Sequence, residues 1–262
     1  MSDHNQHMEQ LSVIVIAGSE EQNIGDCLAS VRDAGEIIVL CSSKEDRTMD
    51  IAREFTENVH FREFSGFADQ KQASLDLATR PWVLSLDADE RLTDELRTEI
   101  AAVLEADGPA DGYTMPRKNH FRDKWLRHGG WYPDRQLRLF RRENTRVTDR
   151  LVHEGFEVRG NRGELHGALL HYTLPHVRHL LVKNLDYSLL EAQEKQHRKN
   201  IGALDFILRP PLEFFKKYIL QRGFLDGWEG YIVAAIHALN KHQMLMQLSE
   251  MQREERRSGD GA

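Results

Sequence analysis

One stretch of the chain decides the fold: Trp82-Val83-Leu84-Ser85-Leu86-Asp87-Ala88-Asp89-Glu90. Its first five residues are apolar apart from one serine, which is typical of a strand that is buried on both faces of a parallel sheet. Two carboxylates follow at once, separated by one small residue. Because ligands of open α/β sheets bind beyond the carboxyl ends of the strands, this position predicts a functional site.

Upstream of this stretch, apolar runs alternate with helical segments of roughly ten residues. Strands are predicted at Leu11–Ile16, Ile37–Leu40, Val59–Phe61 and Trp82–Leu86, and helices at Ile24–Ala34, from Asp46 or Thr48 onward, at Ala68–Ala78 and at Asp94–Leu104. This alternation predicts an α/β fold with βαβ units, in which a Rossmann-like, mostly parallel sheet carries helices on both faces.

From Gly112 the pattern changes to short strands and then to helices. Strands are predicted at Tyr113–Pro116, Gln136–Arg141, Glu154–Val158 and Leu169–Tyr172, and helices at His176–Gln196, Leu204–Leu208, Leu212–Arg222 and Phe224 to Met251. We therefore expect a main domain at 11–175 with halves 11–110 and 111–175, and a helical extension at 176–251. The ends, 1–10 and 252–262, are expected to be disordered.

Charge is unevenly distributed along the 262 residues. The net charge is −7, but residues 1–110 carry 23 acidic and 9 basic residues, whereas the rest has a net charge of +7. An acidic total argues against a nucleic-acid-binding protein. The basic remainder suits an anionic partner, such as a phosphorylated acceptor or an anionic lipid surface.

The cysteine count and the apolar runs predict a cytoplasmic protein. Two thiols, Cys27 and Cys41, do not make a disulfide framework and fit a reducing compartment. Residues 1–10 are polar and do not form a signal peptide. No apolar run approaches the roughly 20 residues that span a bilayer, so only attachment to a membrane surface is expected.

The carboxylate pair Asp87 and Asp89 has the chemistry of a cation site. Residues i and i+2 of an extended chain point the same way. Two hard oxygen ligands can then share Mg²⁺ or Mn²⁺ with phosphate oxygens. Phosphatases of the haloacid dehalogenase type also place Asp-x-Asp after an apolar strand. That family expects Thr or Val where this chain has Arg91, and its nucleophile usually lies on the first strand.

Several further stretches resemble glycosyltransferase family 2, and more closely the lipopolysaccharide core β-1,4-glucosyltransferases. The longest and most specific of them is His128–Arg142, which reads HGGWYPDRQLRLFRR. The others are Leu11–Ile16 with Glu20–Ile24, Glu36–Leu40 with Asp46–Thr48, Gly66-Phe67 with Gln70-Lys71, Trp82–Arg91, Arg150–Glu154 and Gly223–Trp228.

This resemblance implies a GT-A fold, with a nucleotide-sugar half at 11–110 and an acceptor half at 111–175. It implies an inverting transfer of a hexose, glucose above all, from a nucleotide-diphosphate sugar such as a UDP-sugar. The acceptor would be a lipopolysaccharide inner core or another lipid-linked or phosphorylated glycan. By similarity, Asp89 would hold the metal and Asp87 would bind the metal or the ribose. Four further residues would line the nucleotide pocket: Glu20, Cys41, Gln70 and Lys71.

Two carboxylates remain open as the base that takes the proton of the acceptor hydroxyl, Glu154 and Asp134. His153 would orient Glu154 or contact phosphate, and Trp131 would stack on a sugar face. Arg135 and Arg138 suit phosphate because a guanidinium binds its oxygens in pairs. A solvent-facing position is the alternative for Arg138, since it alternates with two leucines.

The chain departs from the family pattern at the nucleobase end. The first strand ends in Ala17-Gly18-Ser19-Glu20, where the family has Thr-x-Asn-Glu, and Cys41 stands where the family has an aspartate that binds uracil. A thiol is a weak acceptor. A degenerate nucleotide-sugar-binding protein with weak or no transferase activity is therefore the alternative function.

The segment Arg209–Leu220, with the sequence RPPLEFFKKYIL, combines aromatic and basic residues in an amphipathic pattern. Such a pattern is typical of a helix that lies on a membrane surface. Packing on the rest of the chain and formation of a homodimer are the alternatives.

Overall fold

The computed structural model describes residues 7–148, 155–174, 177–196 and 201–259. Its strands are β1 (Leu11–Ala17), β2 (Glu36–Cys41), β3 (Val59–Phe61), β4 (Trp82–Asp87), β5 (Glu90–Leu92), β6 (Gly112–Phe121), β7 (Lys124–Trp125), β8 (Asp134–Arg141), β9 (Thr145–Val147), β10 (Phe156–Val158), β11 (Arg162–Glu164) and β12 (Leu169–Leu174). Its α-helices are α1 (Ile24–Ala29), α2 (Thr48–Arg53), α3 (Phe67–Leu77), α4 (Asp94–Glu105), α5 (Val177–Lys195), α6 (Ala203–Phe215) and α7 (Gly227–Gly259). Within these ranges, no helix is long and apolar enough to cross a bilayer.

The first four strands form the parallel half of a sheet. They are ordered β3-β2-β1-β4, and every neighbouring pair is parallel. Helices α1, α2 and α3 connect successive strands. The predicted βαβ units are confirmed in this half, which brings the carboxyl ends of the four strands to one edge.

The second half of the sheet is mostly antiparallel, although β11 pairs in parallel with β6. β8 pairs with β4, β6 pairs with β8, and β12 and β5 complete the order. The α/β class is confirmed, but the sheet is mixed rather than mostly parallel. Strands β5, β7, β9 and β11 were not predicted, because segments of two or three residues show no periodicity.

Helices cover both faces of the parallel half, as predicted. Alternate residues of each strand point to opposite faces. Val13 and Val15 belong to one buried cluster with side chains of α1 and α4, including Leu28 and Ile100. Residues of the opposite face, among them Ile14, pack with Leu75 and other residues in a second cluster.

The described chain divides into two compact units that interleave along the sequence. The first unit comprises 7–118, 134–148 and 155–172, and the second comprises 119–133 and the described residues from 173 onward. The predicted boundary at 175 therefore differs from the observed division. The reason is that Phe121 and Leu126 form a buried cluster with Leu180 and Val233 of the helical segment.

Three expectations about helices and chain ends need correction. α6 continues through Pro210 and Pro211, and a π-helical turn follows it at Lys216–Leu220, so the two predicted segments form one element. α7 extends to Gly259, and Gln252 is buried and donates a hydrogen bond to the carbonyl oxygen of Gln196 (3.2 Å). Residues 7–10 are also ordered, because Met8 is buried in the main core.

Candidate functional site

The two predicted aspartates lie where the sequence placed them, at the carboxyl end of β4. Asp87 is the last residue of β4, and Asp89 lies in the turn that leads to β5. Their side chains are 35% and 19% exposed, respectively. Both carboxylates are therefore partly accessible at the edge where the parallel strands end.

Asp87 is held by a buried network of charged groups. Nη2 of Arg138 donates to Oδ2 of Asp87 and to Oε1 of Glu90 (2.6 Å to the latter). The backbone N–H of Asp87 donates to Oε2 of Glu90 (3.0 Å). Burial raises the pKa of Asp87, but the positive charges of Arg138, Lys71 and Arg117 outweigh it and hold this pKa well below its usual range.

Arg138 and Glu90 are almost fully buried, with 6% and 0% of their surfaces exposed. The solvent-facing alternative for Arg138 is therefore wrong. The side chain of Arg138 points inward because Asp87 and Glu90 accept its hydrogen bonds there. The sequence pattern of alternating leucines around Arg138 gives no sign of these two acids. Glu90 was not singled out by the sequence, since a glutamate beside two aspartates resembles a solvated acidic turn.

Arg117 extends this network to one candidate base, Asp134. Its Nη1 donates to Oε1 of Glu90 (3.2 Å), and its Nη2 donates to Oδ2 of Asp134 (2.5 Å). The other oxygen of Asp134 accepts a hydrogen bond from Nε2 of Gln136 (2.8 Å). Both oxygens of Asp134 thus have protein donors, which suits a structural carboxylate better than a proton acceptor.

Asp89 faces a histidine that the sequence analysis did not identify. Nε2 of His171 lies 3.4 Å from Oδ2 of Asp89, and the backbone N–H of Tyr172 donates to the carbonyl oxygen of Asp89 (3.0 Å). His171 is on β12, which pairs with β5 so that His171 stands opposite Glu90. Strand pairing brings this imidazole to the aspartate across about eighty positions of sequence, which no local pattern reveals.

The residues around Asp89 can be compared with the needs of a divalent cation. Among the described residues, no group of three or more His, Cys, Asp or Glu forms a ready metal site. Asp89 and His171 together offer one carboxylate oxygen and one imidazole nitrogen. Such a pair leaves most positions of Mg²⁺ or Mn²⁺ to water and phosphate oxygens, as is usual for these ions at nucleotide sites. Asp87 fits less well as a ligand, because Arg138 already pairs with it.

Of the predicted nucleotide-pocket residues, Lys71 is near enough to Asp87 for its positive charge to lower the pKa of that carboxyl. Gln70 is buried, and its amide donates to the carbonyl oxygens of Arg62 (3.0 Å) and Glu63 (3.2 Å). Cys41 is also fully buried, and burial raises the pKa of its thiol to about 11. Its side chain belongs to the main core.

Two loops at the same edge are joined through Asp46. Its carboxylate accepts hydrogen bonds from the backbone N–H groups of Glu21 (3.1 Å) and Thr48 (3.1 Å) and from the hydroxyl of Thr48 (2.9 Å). That hydroxyl oxygen accepts a hydrogen bond from the backbone N–H of Glu20 (2.8 Å). The loop after β1, which includes Glu20, is thereby fixed to the loop after β2.

Replacing Asp46 with alanine is expected to lower the free energy of unfolding by about 1–2 kcal/mol, because three hydrogen bonds to a charged acceptor are lost. Urea denaturation would measure this change. The matched control is Asp50→Ala, since Asp50 is exposed and forms a surface ion pair with Arg53 (2.9 Å); its effect should stay within about 0.5 kcal/mol. Equal effects of the two substitutions would show that Asp46 does not fix the loops.

The remaining predicted residues are distributed differently. Arg135 donates to the carbonyl oxygen of Leu165 (3.1 Å) and pairs with Glu164 (3.2 Å) in the first unit. Trp131 belongs to the second unit, where its ring lies 5.9 Å from that of His237. Glu154 and His153 lie outside the described residues. Their predicted roles stay predictions.

A parallel block of strands with acidic residues at the end of its fourth strand, followed by a mostly antiparallel half, defines an α/β protein of the class whose ligands bind beyond the carboxyl ends of parallel strands. The comparison with protein families makes the assignment narrower. The model described as glycosyl transferase family 2 matches residues 12–159, more than half of the chain. The protein belongs to glycosyl transferase family 2.

Its relatives agree with this assignment. The chain is 29% identical over 242 residues to the lipopolysaccharide core biosynthesis glycosyltransferase LpsC of Rhizobium meliloti (strain 1021), with 87% of this chain and 88% of the relative covered. It is 27% identical over 259 residues to an uncharacterized glycosyltransferase of Rickettsia felis, with 93% and 90% covered. The resemblance to enzymes of lipopolysaccharide core synthesis is thus confirmed.

Solved structures are more distant. The mannosyltransferase PcManGT of Pyrobaculum calidifontis, in complex with GDP-Man and Mn²⁺, is 19% identical, with 88% of this chain and 73% of that chain covered and a TM-score of 0.46. A similarity of this size bears on neither the substrate nor the roles of individual residues.

Proposed function

We propose that the protein is an inverting, metal-dependent glycosyltransferase that moves a hexose, glucose above all, from a nucleotide-diphosphate sugar to a lipopolysaccharide inner-core or related glycan acceptor. The observation that carries this proposal is the Asp89–His171 pair beside the Asp87–Arg138–Glu90 network at the end of β4. The similarity to LpsC supports the acceptor class. Both cysteines are free and buried, which supports a reducing, cytoplasmic location.

Asp89 and His171 would hold Mg²⁺ or Mn²⁺, which supplies positive charge to the departing diphosphate when bound. The residues around the cation site would hold its neighbouring groups in fixed positions. Glu90 accepts a hydrogen bond from the backbone N–H of Asp87, and Arg138 donates to the carboxylate of Asp87. These two contacts fix the orientation of Asp87, which would bind the ribose or the metal. Lys71 adds a positive charge on the same side.

The base must be able to turn an oxygen toward the acceptor hydroxyl, and a carboxylate held at both oxygens by protein donors is less able to do so. Since Asp134 is engaged by Arg117 and Gln136, we assign the base to Glu154. The acceptor hydroxyl oxygen forms a bond to the anomeric carbon as the bond from that carbon to the diphosphate oxygen breaks. The hydroxyl proton passes to Glu154, and the configuration at the anomeric carbon inverts in this single displacement.

We propose a UDP-sugar as the donor. The burial of Cys41 means that its side chain offers the nucleobase no exposed acceptor, so backbone groups of the loops after β1 and β2 would hold the base. The same burial is the one observation that favours the second candidate, a degenerate nucleotide-sugar-binding protein. Turnover separates the two functions, since both predict binding of a nucleotide diphosphate.

The test is a screen of UDP-, GDP-, ADP- and CDP-hexoses with purified protein, Mn²⁺ and a lipopolysaccharide inner-core acceptor, in which released nucleoside diphosphate is measured. Glu154→Gln is expected to lower kcat at least about a hundredfold while metal-dependent binding of the diphosphate stays unchanged. Asp134→Asn serves as the comparison, and a larger loss of kcat there than in Glu154→Gln would reverse the assignment of the base. Absence of both turnover and metal-dependent binding with every nucleotide would reject the transferase.

A further inference from the structure

Residues 203–231 of the second unit present an apolar surface to solvent. α6 buries none of its residues fully, and large apolar side chains are exposed at Leu204 (70%), Leu212 (60%) and Trp228 (67%). Leu208, Phe215 and Ile219 are exposed as well. We call this surface the outward apolar face.

The exposed positions recur every three or four residues, so they form one continuous stripe. The stripe follows α6 and the π-helical turn, which together run from Ala203 to Leu220. At a rise of about 1.5 Å per residue, this is a length of about 27 Å. The ring of Trp228 stacks on that of Tyr231 (5.2 Å) beyond the end of the stripe.

The acidic residues of the same stretch, unlike its apolar ones, are mostly shielded from solvent. All four acids of residues 203–231, every one of which the structure describes, have basic partners. Asp205 pairs with Arg209 (2.5 Å), Glu213 with Lys216 (3.8 Å), Asp226 with His128 (2.9 Å) and Glu229 with Lys124 (3.0 Å).

Two of the four basic residues of the stretch, in contrast, are exposed. Lys216 has a side chain that is 53% exposed, and Arg222 is exposed too. Burial of exposed apolar side chains is favourable, and a positive rim favours an anionic partner. A helical surface that is apolar outward and basic at its rim has the polarity of a helix lying in the interface of a bilayer.

We infer that the outward apolar face docks onto the surface of a bilayer that contains anionic phospholipids, with α6 parallel to the membrane plane. The two exposed cations meet the phosphate groups, and the stripe enters the boundary between headgroups and acyl chains. A second copy would offer these cations no exposed carboxylate from the same stretch, since its four acid side chains are 5–27% exposed and already paired with basic groups. Charge therefore favours the bilayer over a second copy.

The test is co-sedimentation of the full chain with vesicles of phosphatidylcholine that contain roughly 30% phosphatidylglycerol, compared with vesicles of phosphatidylcholine alone. The wild type is expected to bind the anionic vesicles more tightly, and added salt should weaken this binding. Leu212→Glu is expected to weaken it at least about tenfold, because one exposed leucine no longer enters the bilayer.

The matched control is Leu77→Glu, since Leu77 is an exposed leucine of α3 in the first unit, and its vesicle binding should equal that of the wild type. A blue shift of tryptophan emission on binding, lost in Trp228→Phe, would support the orientation. Circular dichroism and Tm should confirm that each variant is folded.

The inference would be overturned if the wild type bound neither kind of vesicle, or if folded Leu212→Glu bound the anionic vesicles as well as the wild type does. Light scattering measures the oligomeric state and so tests whether a second copy of the chain binds this face instead. A wild-type dimer that Leu212→Glu converts to a monomer, without vesicle binding in either form, would make this face an interface between copies and would also overturn it.

Discussion

Replacing Asp89 with alanine is expected to lower turnover of the nucleotide sugar at least about a hundredfold. Its carboxylate is the partly exposed oxygen donor beside His171, so the substitution removes the group that we propose as the principal ligand of the cation. Calorimetry of nucleoside diphosphate binding with and without Mn²⁺ provides a second measurement. The difference between these two affinities should disappear in the variant.

The control for this prediction is Asp76→Ala. Asp76 is an exposed carboxylate near the end of α3, and it accepts a hydrogen bond from the side-chain amide of Gln72 (2.7 Å). Turnover and metal-dependent binding should equal those of the wild type. His171→Ala should also weaken the metal dependence, since His171 is proposed as the second ligand. Full turnover in folded Asp89→Ala would refute the metal role of this residue.

Replacing Arg138 with methionine is expected to lower the free energy of unfolding by about 3–5 kcal/mol. The substitution keeps most of the side-chain volume but removes the positive charge between Asp87 and Glu90. Glu90 is fully buried and would keep only Arg117 as its cationic partner at 3.2 Å. Two acids would then repel each other with one cation fewer. The fall in Tm should be about 10 °C, and calorimetry measures it directly.

Arg146→Met is the matched control for this stability effect. Arg146 is also paired with a glutamate, Glu157 (2.6 Å), but the two side chains are 59% and 37% exposed. Water screens such a surface pair, so its loss should cost less than about 1 kcal/mol. If Arg138→Met were no more destabilising than Arg146→Met, the buried network would not stabilise the fold.

Local pattern predicted the parallel half of the fold well. The apolar runs that became β1, β2 and β4 are buried on both faces, so each stands out in the sequence without reference to its neighbours, whereas β3 is short and largely exposed. The rest was harder, because β5, β7 and β11 of the same sheet, and β9 of a separate two-stranded sheet with β10, have only two or three residues. Their pairing depends on contacts with distant strands, which the chain order does not state.

The candidate site shows the same limit. Asp87 and Asp89 could be predicted because they follow directly on a recognisable strand. His171 could not, because β12 reaches Asp89 only through its pairing with β5. The inward orientation of Arg138 depends on Glu90, an acid whose burial no composition rule reveals, since glutamate is almost never fully buried without a partner.

The interleaving of the two units has a consequence for how this protein can be recombined. Residues 119–133 contain the end of β6 and the hairpin that joins it to β7, and their Phe121 and Leu126 pack beside Leu180 and Val233 before β8 begins. A chimera with one crossover near residue 175 would therefore join a native hairpin to foreign helices. If the helical unit is exchanged between homologues, residues 119–133 have to be exchanged together with it.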